Sequence, residues 1–193
     1  MDFTSFLIFF MCLNFTIAAN EKKIENYVEG YRFKSVSCWA DNETIATKYC
    51  YIKAVSRIVT TLNIGVKILK AFRKPYYVRL ILSYRYGTIT RPVIDTKEQE
   101  WCGAMNGENI HLFMQMTITQ IQRTASKLFH KCPYDESDID IQNVTIEDSK
   151  ALSVFNSGIY QGNVTVTKNT KIAFQVITLG EVKSHIRDSF GRK

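Results

Sequence analysis

Residues 50–68 read CYIKAVSRIVTTLNIGVKI, and their alternation decides the fold class. The even positions are Cys50, Ile52, Ala54, Ser56, Ile58, Thr60, Leu62, Ile64, Val66 and Ile68. A side-chain period of two marks a strand, because successive Cβ atoms point to opposite faces of a sheet. The run is too long for one ordinary strand. It is therefore expected to break near Thr60–Asn63 into two strands joined by a turn or bend.

Outward from this segment the same period recurs. Tyr31, Phe33 and Ser35 fall on one side of a first strand that leads to Cys38. Val78, Leu80, Leu82, Tyr84 and Tyr86 follow the breaker Lys74-Pro75, and a short extended piece spans Ile89–Ile94. Strand patterns resume at Ile139–Ile146, Ile159–Thr167 and Ile172–Thr178. Between them the period changes. Ile110, Phe113, Met114, Thr117, Ile121, Ala125 and Leu128 recur at steps of three and four, which predicts one amphipathic helix around residues 108–130. It must stop before Cys132-Pro133, since a residue preceding proline is pushed out of helical geometry. Seven or eight short strands with a single late helix predict a mainly β chain. The expected architecture is an immunoglobulin-like antiparallel β-sandwich with the helix inserted.

The cysteines place the chain in a compartment. Cys12 lies in the apolar run Phe6–Leu13 of a leader that ends at Ala18-Ala19, so residues 1–19 read as a signal peptide. Residues 20–193 read as one secreted domain with no transmembrane segment. Cys38, Cys50, Cys102 and Cys132 remain, an even set that reads as two disulfides in an extracellular domain. Four cysteines allow three connectivities; Cys38–Cys50 with Cys102–Cys132 closes the shortest loops and is preferred. Three sequons begin at Asn42, Asn143 and Asn163, the pattern of surface glycosylation.

The formal net charge is +7, and the leader holds only one charged residue, Asp2. The basic residues are spread along the chain rather than grouped, which reads as a solvated surface and not as a nucleic-acid site. Catalytic and metal motifs are missing from the sequence. The histidines His111, His130 and His185 do not pair at ligand spacing; the first two flank the helix and read as surface or cap residues. The acidic run Asp135, Glu136, Asp138 and Asp140 has no glycine to make a calcium loop and reads as an exposed turn. No cofactor and no enzymatic activity are expected. What stands out is apolar surface. Phe113, Met114 and Leu128 from the helix, with Ile64, Val66, Leu80, Leu82, Phe174 and Val176 from strands, are the candidate walls of an apolar ligand site.

The order of features also resembles a known family. The carrying residues are Phe33 and Cys38, then Tyr49-Cys50-Tyr51-Ile52-Lys53-Ala54-Val55-Ser56-Arg57, Leu62-Asn63 and Trp101-Cys102 after Arg91-Pro92. Cys132-Pro133-Tyr134 follows the helix, and Gly158-Ile159-Tyr160 opens a late strand. Together these resemble insect secreted domains of unknown function that include the CheB chemosensory proteins, over about residues 27–180. That family is related to the ML-type lipid-recognition sandwiches. The resemblance implies a sandwich that opens between its sheets to hold lipid or hydrocarbon tails, with a role in contact chemosensation or pheromone response. One departure is local: the family often carries proline before Gly-x-Tyr, where Phe155-Asn156-Ser157 stands here. The expected function is binding of a small apolar ligand: lipid, fatty acid or cuticular hydrocarbon. The alternative is an extracellular protein-interaction module whose partner is a receptor or another extracellular protein.

Overall fold

The computed structural model describes residues 26–56, 59–71, 75–106, 108, 110–122, 132–146 and 155–186. The leader and the C-terminal tail lie outside them. The strands are β1 (Asn26–Ala40), β2 (Ile45–Ala54), β3 (Thr60–Ile68), β4 (Tyr76–Tyr86), β5 (Ile89–Asp95), β6 (Gln99–Glu100), β7 (Ser137–Val144), β8 (Gly158–Lys168) and β9 (Lys171–Ile186). Among the described residues two helices, α1 (Trp101–Asn106) and α2 (Leu112–Gln122), fall between β6 and β7. The chain is the expected antiparallel β-sandwich, but its sheets are unequal. The large sheet has six strands in the order β1-β9-β8-β4-β5, with β6 also on β4; the small sheet is β2-β3-β7.

Residues 50–68 form two strands, though the break sits earlier than the expected Thr60–Asn63. β2 ends at Ala54, and a turn closes where Val55 N and Ser56 N donate to Val59 O at 3.0 and 3.1 Å. Thr60, Thr61 and Asn63 lie inside β3 and are buried. They resemble turn residues because they are polar, yet each satisfies a backbone group. Thr60 Oγ1 donates to Phe33 O, Thr61 Oγ1 to Lys53 O, and Asn63 Oδ1 accepts from Asn143 N at 3.0 Å. In β1 the period of two is interrupted by a register shift between Phe33 and Ser35. An extra residue reverses which side chains face inward. Phe33 is therefore buried, Ser35 is exposed, and Val36 and Cys38 turn to the core.

The inner faces of the two sheets meet in one cluster. Ile45, Ile64, Val66 and Ile68 of the small sheet pack with Tyr76, Val166, Ala173 and Val176 of the large one, joined by Tyr134. The Cys38–Cys50 disulfide links edge strands β1 and β2 and closes one side of the sandwich. The Cys102–Cys132 disulfide joins α1 to the segment before β7, so α2 lies within the loop it closes. Both pairs are the preferred ones. The opposite edge strand, β5, carries Pro92 with its neighbours exposed, a device that discourages pairing with another chain. No helix among the described residues is long and apolar enough to cross a membrane.

The two tight hairpins use different chemistry. Gly87 follows β4 at φ 59°, where glycine takes the first central position without steric cost. The β8–β9 turn instead has Asn169 and Thr170 at φ 47° and 66°. Asparagine tolerates that region, whereas a β-branched residue is strained there. Replacing Thr170→Gly is expected to raise stability by about 1 kcal/mol, visible as a higher urea midpoint at unchanged slope. An unchanged or lower midpoint would contradict this account of the turn.

Candidate functional site

The inner face of the large sheet is covered in two pieces. Its β1-β9-β8 side lies under the small sheet, in the cluster already described. β4 beyond Tyr76, with Val164 of β8, is covered by α2 instead. There Val78, Leu80 and Met114 are buried together, with Leu82, Trp101, Ile110, Phe113, Ile118 and Val164 packed around them. The alternation of β4 aims Tyr76, Val78 and Leu80 inward; Tyr76 joins the sheet–sheet cluster, and Met114 is the helix residue that meets Val78 and Leu80. α2 begins at a side-chain cap: His111 Nδ1 accepts from Phe113 N at 3.2 Å. This is the cap role expected of His111; His130 lies outside the described residues.

The predicted wall residues are thus divided. Ile64, Val66, Phe174 and Val176 belong to the sheet–sheet cluster. Leu80, Leu82, Phe113 and Met114 belong to the cluster beneath the helix. Leu128 lies outside the described residues. Trp101 packs against both clusters and is their junction. Trp101, Val78, Ile110 and Ile118 were not among the expected walls. Val78 was legible in the β4 alternation, and Ile110 in the helical period. Trp101 carried no periodic signal, since it starts a six-residue helix that the sequence pattern does not announce.

A third apolar group adjoins the start of α2. Tyr160 and Val182 are buried with Tyr31, Leu82, Tyr84, Ile146 and Phe155 around them. Rings connect it to the helix: Phe113 to Phe155 at 6.0 Å, Phe155 to Tyr160 at 5.4 Å, and Tyr160 to Tyr84 at 5.0 Å, all edge to face. Such pairs add to the area they bury. The turn at Phe155-Asn156-Ser157 is held by hydroxyls. Tyr160 Oη donates to Asn156 O at 2.9 Å and Tyr84 Oη to Ser157 O at 3.3 Å.

The helix covers the sheet but is itself incompletely covered. Leu112 is 69% exposed and Met116 38%, and α2 carries no charged residue. No family model matches this chain, and no curated protein does.

Asp95, Glu181 and Asp41 have structural partners. Asp95 accepts from Arg79 Nε and Nη2 at 2.9 and 2.7 Å and from Lys97 N and Nζ, each at 3.0 Å. The Arg79 guanidinium first, then Lys97, holds its carboxyl far below the usual range. Lys34, 2.8 Å from Glu181, lowers that carboxyl as well. Burial pushes Asp41 upward, but hydrogen bonds from Thr44, Ile45 and Glu43 outweigh it and leave the pKa lowered. Burial drives the Tyr31 phenol up to about 12. A carboxylate whose folded pKa is depressed stabilises the fold above its unfolded pKa of about 4. That contribution is lost as pH falls. The denaturation midpoint is expected to be flat from neutral pH to about pH 5 and to drop below about pH 4. Asp95→Asn is expected to blunt the drop. A midpoint that rises on acidification would reverse the sign.

The three sequons occupy different settings. Asn42 (φ 59°) is exposed at a bend before β2, and Asn143 (φ 55°) is exposed within β7 where its register with β3 shifts. Asn163 lies within β8, between β4 and β9, and its Oδ1 accepts from Thr165 Oγ1 at 3.2 Å and Gln175 Nε2 at 3.1 Å. In the acidic run, Asp138 pairs with Lys48 at 3.4 Å and Asp140 accepts from Tyr49 Oη at 3.1 Å.

Proposed function

We propose that this chain is a secreted binding protein for a small apolar ligand: a lipid, fatty acid or cuticular hydrocarbon held where α2 lies on the large sheet. The observation that supports it is the divided cover of that sheet's inner face. Parting the two sheets would open the main core, which is costly. Moving one 11-residue helix opens only the Val78–Leu80–Met114 cluster. An acyl chain entering there gains ~0.8 kcal/mol per CH₂ taken from water, offsetting the exposure of the helix face. Tethering by Cys102–Cys132 keeps the displaced helix close to its seat.

Secretion is supported by the leader, the three sequons and the two disulfides. A role in chemosensation rests on the resemblance to the insect secreted domains. Binding rather than catalysis is supported by the charged groups, since Asp95, Glu181 and Asp41 are shifted by partners that brace strands and turns.

The test is native mass spectrometry of protein secreted from eukaryotic cells, followed by organic extraction. About one copurified lipid or hydrocarbon per chain is the expected result. A clean apo mass with no uptake of added lipid would overturn the reading. It would turn attention to protein contact through Leu112 and Met116, and to a partner pull-down.

A further inference from the structure

We infer that the ligand carries one hydroxyl, which sits at Trp101 and Gln99 with its alkyl chain running over the Val78–Leu80–Met114 cluster. The inference rests on the apolar-ligand reading of that site and adds the head group. Trp101 Nε1 and Gln99 Oε1 are both closed off from solvent, and neither has a hydrogen-bond partner. Buried polar atoms are nearly always paired, and an unpaired one points to a missing water or ligand.

Position brings the two to one place. Gln99 stands directly opposite Val78 in the β4–β6 ladder. Directly opposed residues of an antiparallel pair share a face, so Gln99 lies on the inner face beside Val78. Trp101, two residues on, packs against the cluster that Val78 forms with Leu80 and Met114. Both residues therefore border the same apolar patch, at the point where it meets the sheet–sheet core.

Their chemistry selects the ligand class. An indole N–H only donates, and an amide oxygen only accepts. A hydroxyl does both and satisfies the two at once. A hydrocarbon satisfies neither and leaves both buried and unpaired. An ionised carboxylate takes the indole N–H but has no hydrogen for Gln99. The order of affinity is therefore long-chain alcohol first, carboxylate next, alkane last.

The experiment measures binding of dodecanol, laurate and dodecane to the intact disulfide-bonded protein at neutral pH, by displacement of a fluorescent acyl probe. Dodecanol is expected to bind about thirtyfold more tightly than dodecane, the size of two ordinary hydrogen bonds. Trp101→Phe and Gln99→Leu, made separately, are each expected to shrink that ratio several-fold. Equal binding of dodecanol and dodecane to the unaltered protein would overturn the hydroxyl while leaving the apolar site standing. Such a result would assign the two open atoms to a trapped water. If none of the three displaces the probe, or the probe itself does not bind, the apolar-ligand reading falls with it.

Discussion

Replacing Cys102 and Cys132 together by serine is expected to lower stability by about 3–4 kcal/mol and to free α2 before the sheets yield. The cysteines are 30 residues apart, and closing a loop of that size restricts the unfolded chain by about this amount in the chain-entropy account. The selective effect follows from where the bond lies. α2 reaches the sheet through Met114 and its neighbours, and it sits inside the loop that the disulfide closes. β3 and β8 are held by ladders on both sides and do not depend on it. Hydrogen exchange should therefore lose protection over Leu112–Gln122 while β3 and β8 retain theirs. Uniform loss across all elements would mean that the helix and the sandwich open as one unit, and the divided cover would then be no basis for a ligand site. In the double variant, apolar ligand affinity should fall as well, because the displaced helix is no longer returned to its seat.

Gly180→Ala is expected to cost about 2–3 kcal/mol, a large effect for one methyl group. The Tyr31 ring lies directly on Gly180 across the β1–β9 pair; a Cβ there would stand 2.1 Å from Tyr31 Cζ. Tyr31 cannot swing away cheaply, since it packs on the Tyr160–Val182 cluster and edge to face with Phe33 at 5.0 Å. Overlap that a packed neighbour cannot relieve is paid in rotamer strain or backbone shift. The check is a double-mutant cycle with Tyr31→Ala, which removes the ring. Most of the Gly180→Ala penalty should then disappear, giving a coupling of 0.5–3 kcal/mol, about the range seen for residues in contact. Strict additivity would mean that the alanine is harmful for some reason other than the ring. Gly65 has the same relation to Tyr49, whose ring would stand 2.3 Å from an added Cβ, so a glycine under a tyrosine recurs in both sheets.

The departures from the sequence reading share a cause. Period two identified Leu62, Ile64, Val66 and Ile68 as one inward face of β3, and they are. It failed at Ser35, because a bulge is decided by the partner strand, here β9, and leaves no mark on β1 alone. Thr60–Asn63 looked like a turn because polarity in a chain read singly implies solvent. Those side chains are polar because Phe33 O, Lys53 O and Asn143 N need partners inside the fold. β6 and α1 are too short for any period to register. For that reason Trp101, which joins the two apolar clusters, was legible only as part of a Trp-Cys pair.

The sequence by itself determined the β-sandwich, the helix before β7 and the inward faces of β3 and the first half of β4. Side-chain period and apolar content are local properties, and burial of apolar area drives the collapse whatever lies opposite. It also narrowed four cysteines to three pairings, of which the two shortest loops form. What only the tertiary structure decided is how the buried residues are shared. Nothing in the alternation of β3 or β4 says that Ile64 and Val66 face another sheet while Val78 and Leu80 face a helix. That division depends on which long-range pairings leave part of the large sheet uncovered, and contacts between distant segments have no periodic signature in either segment.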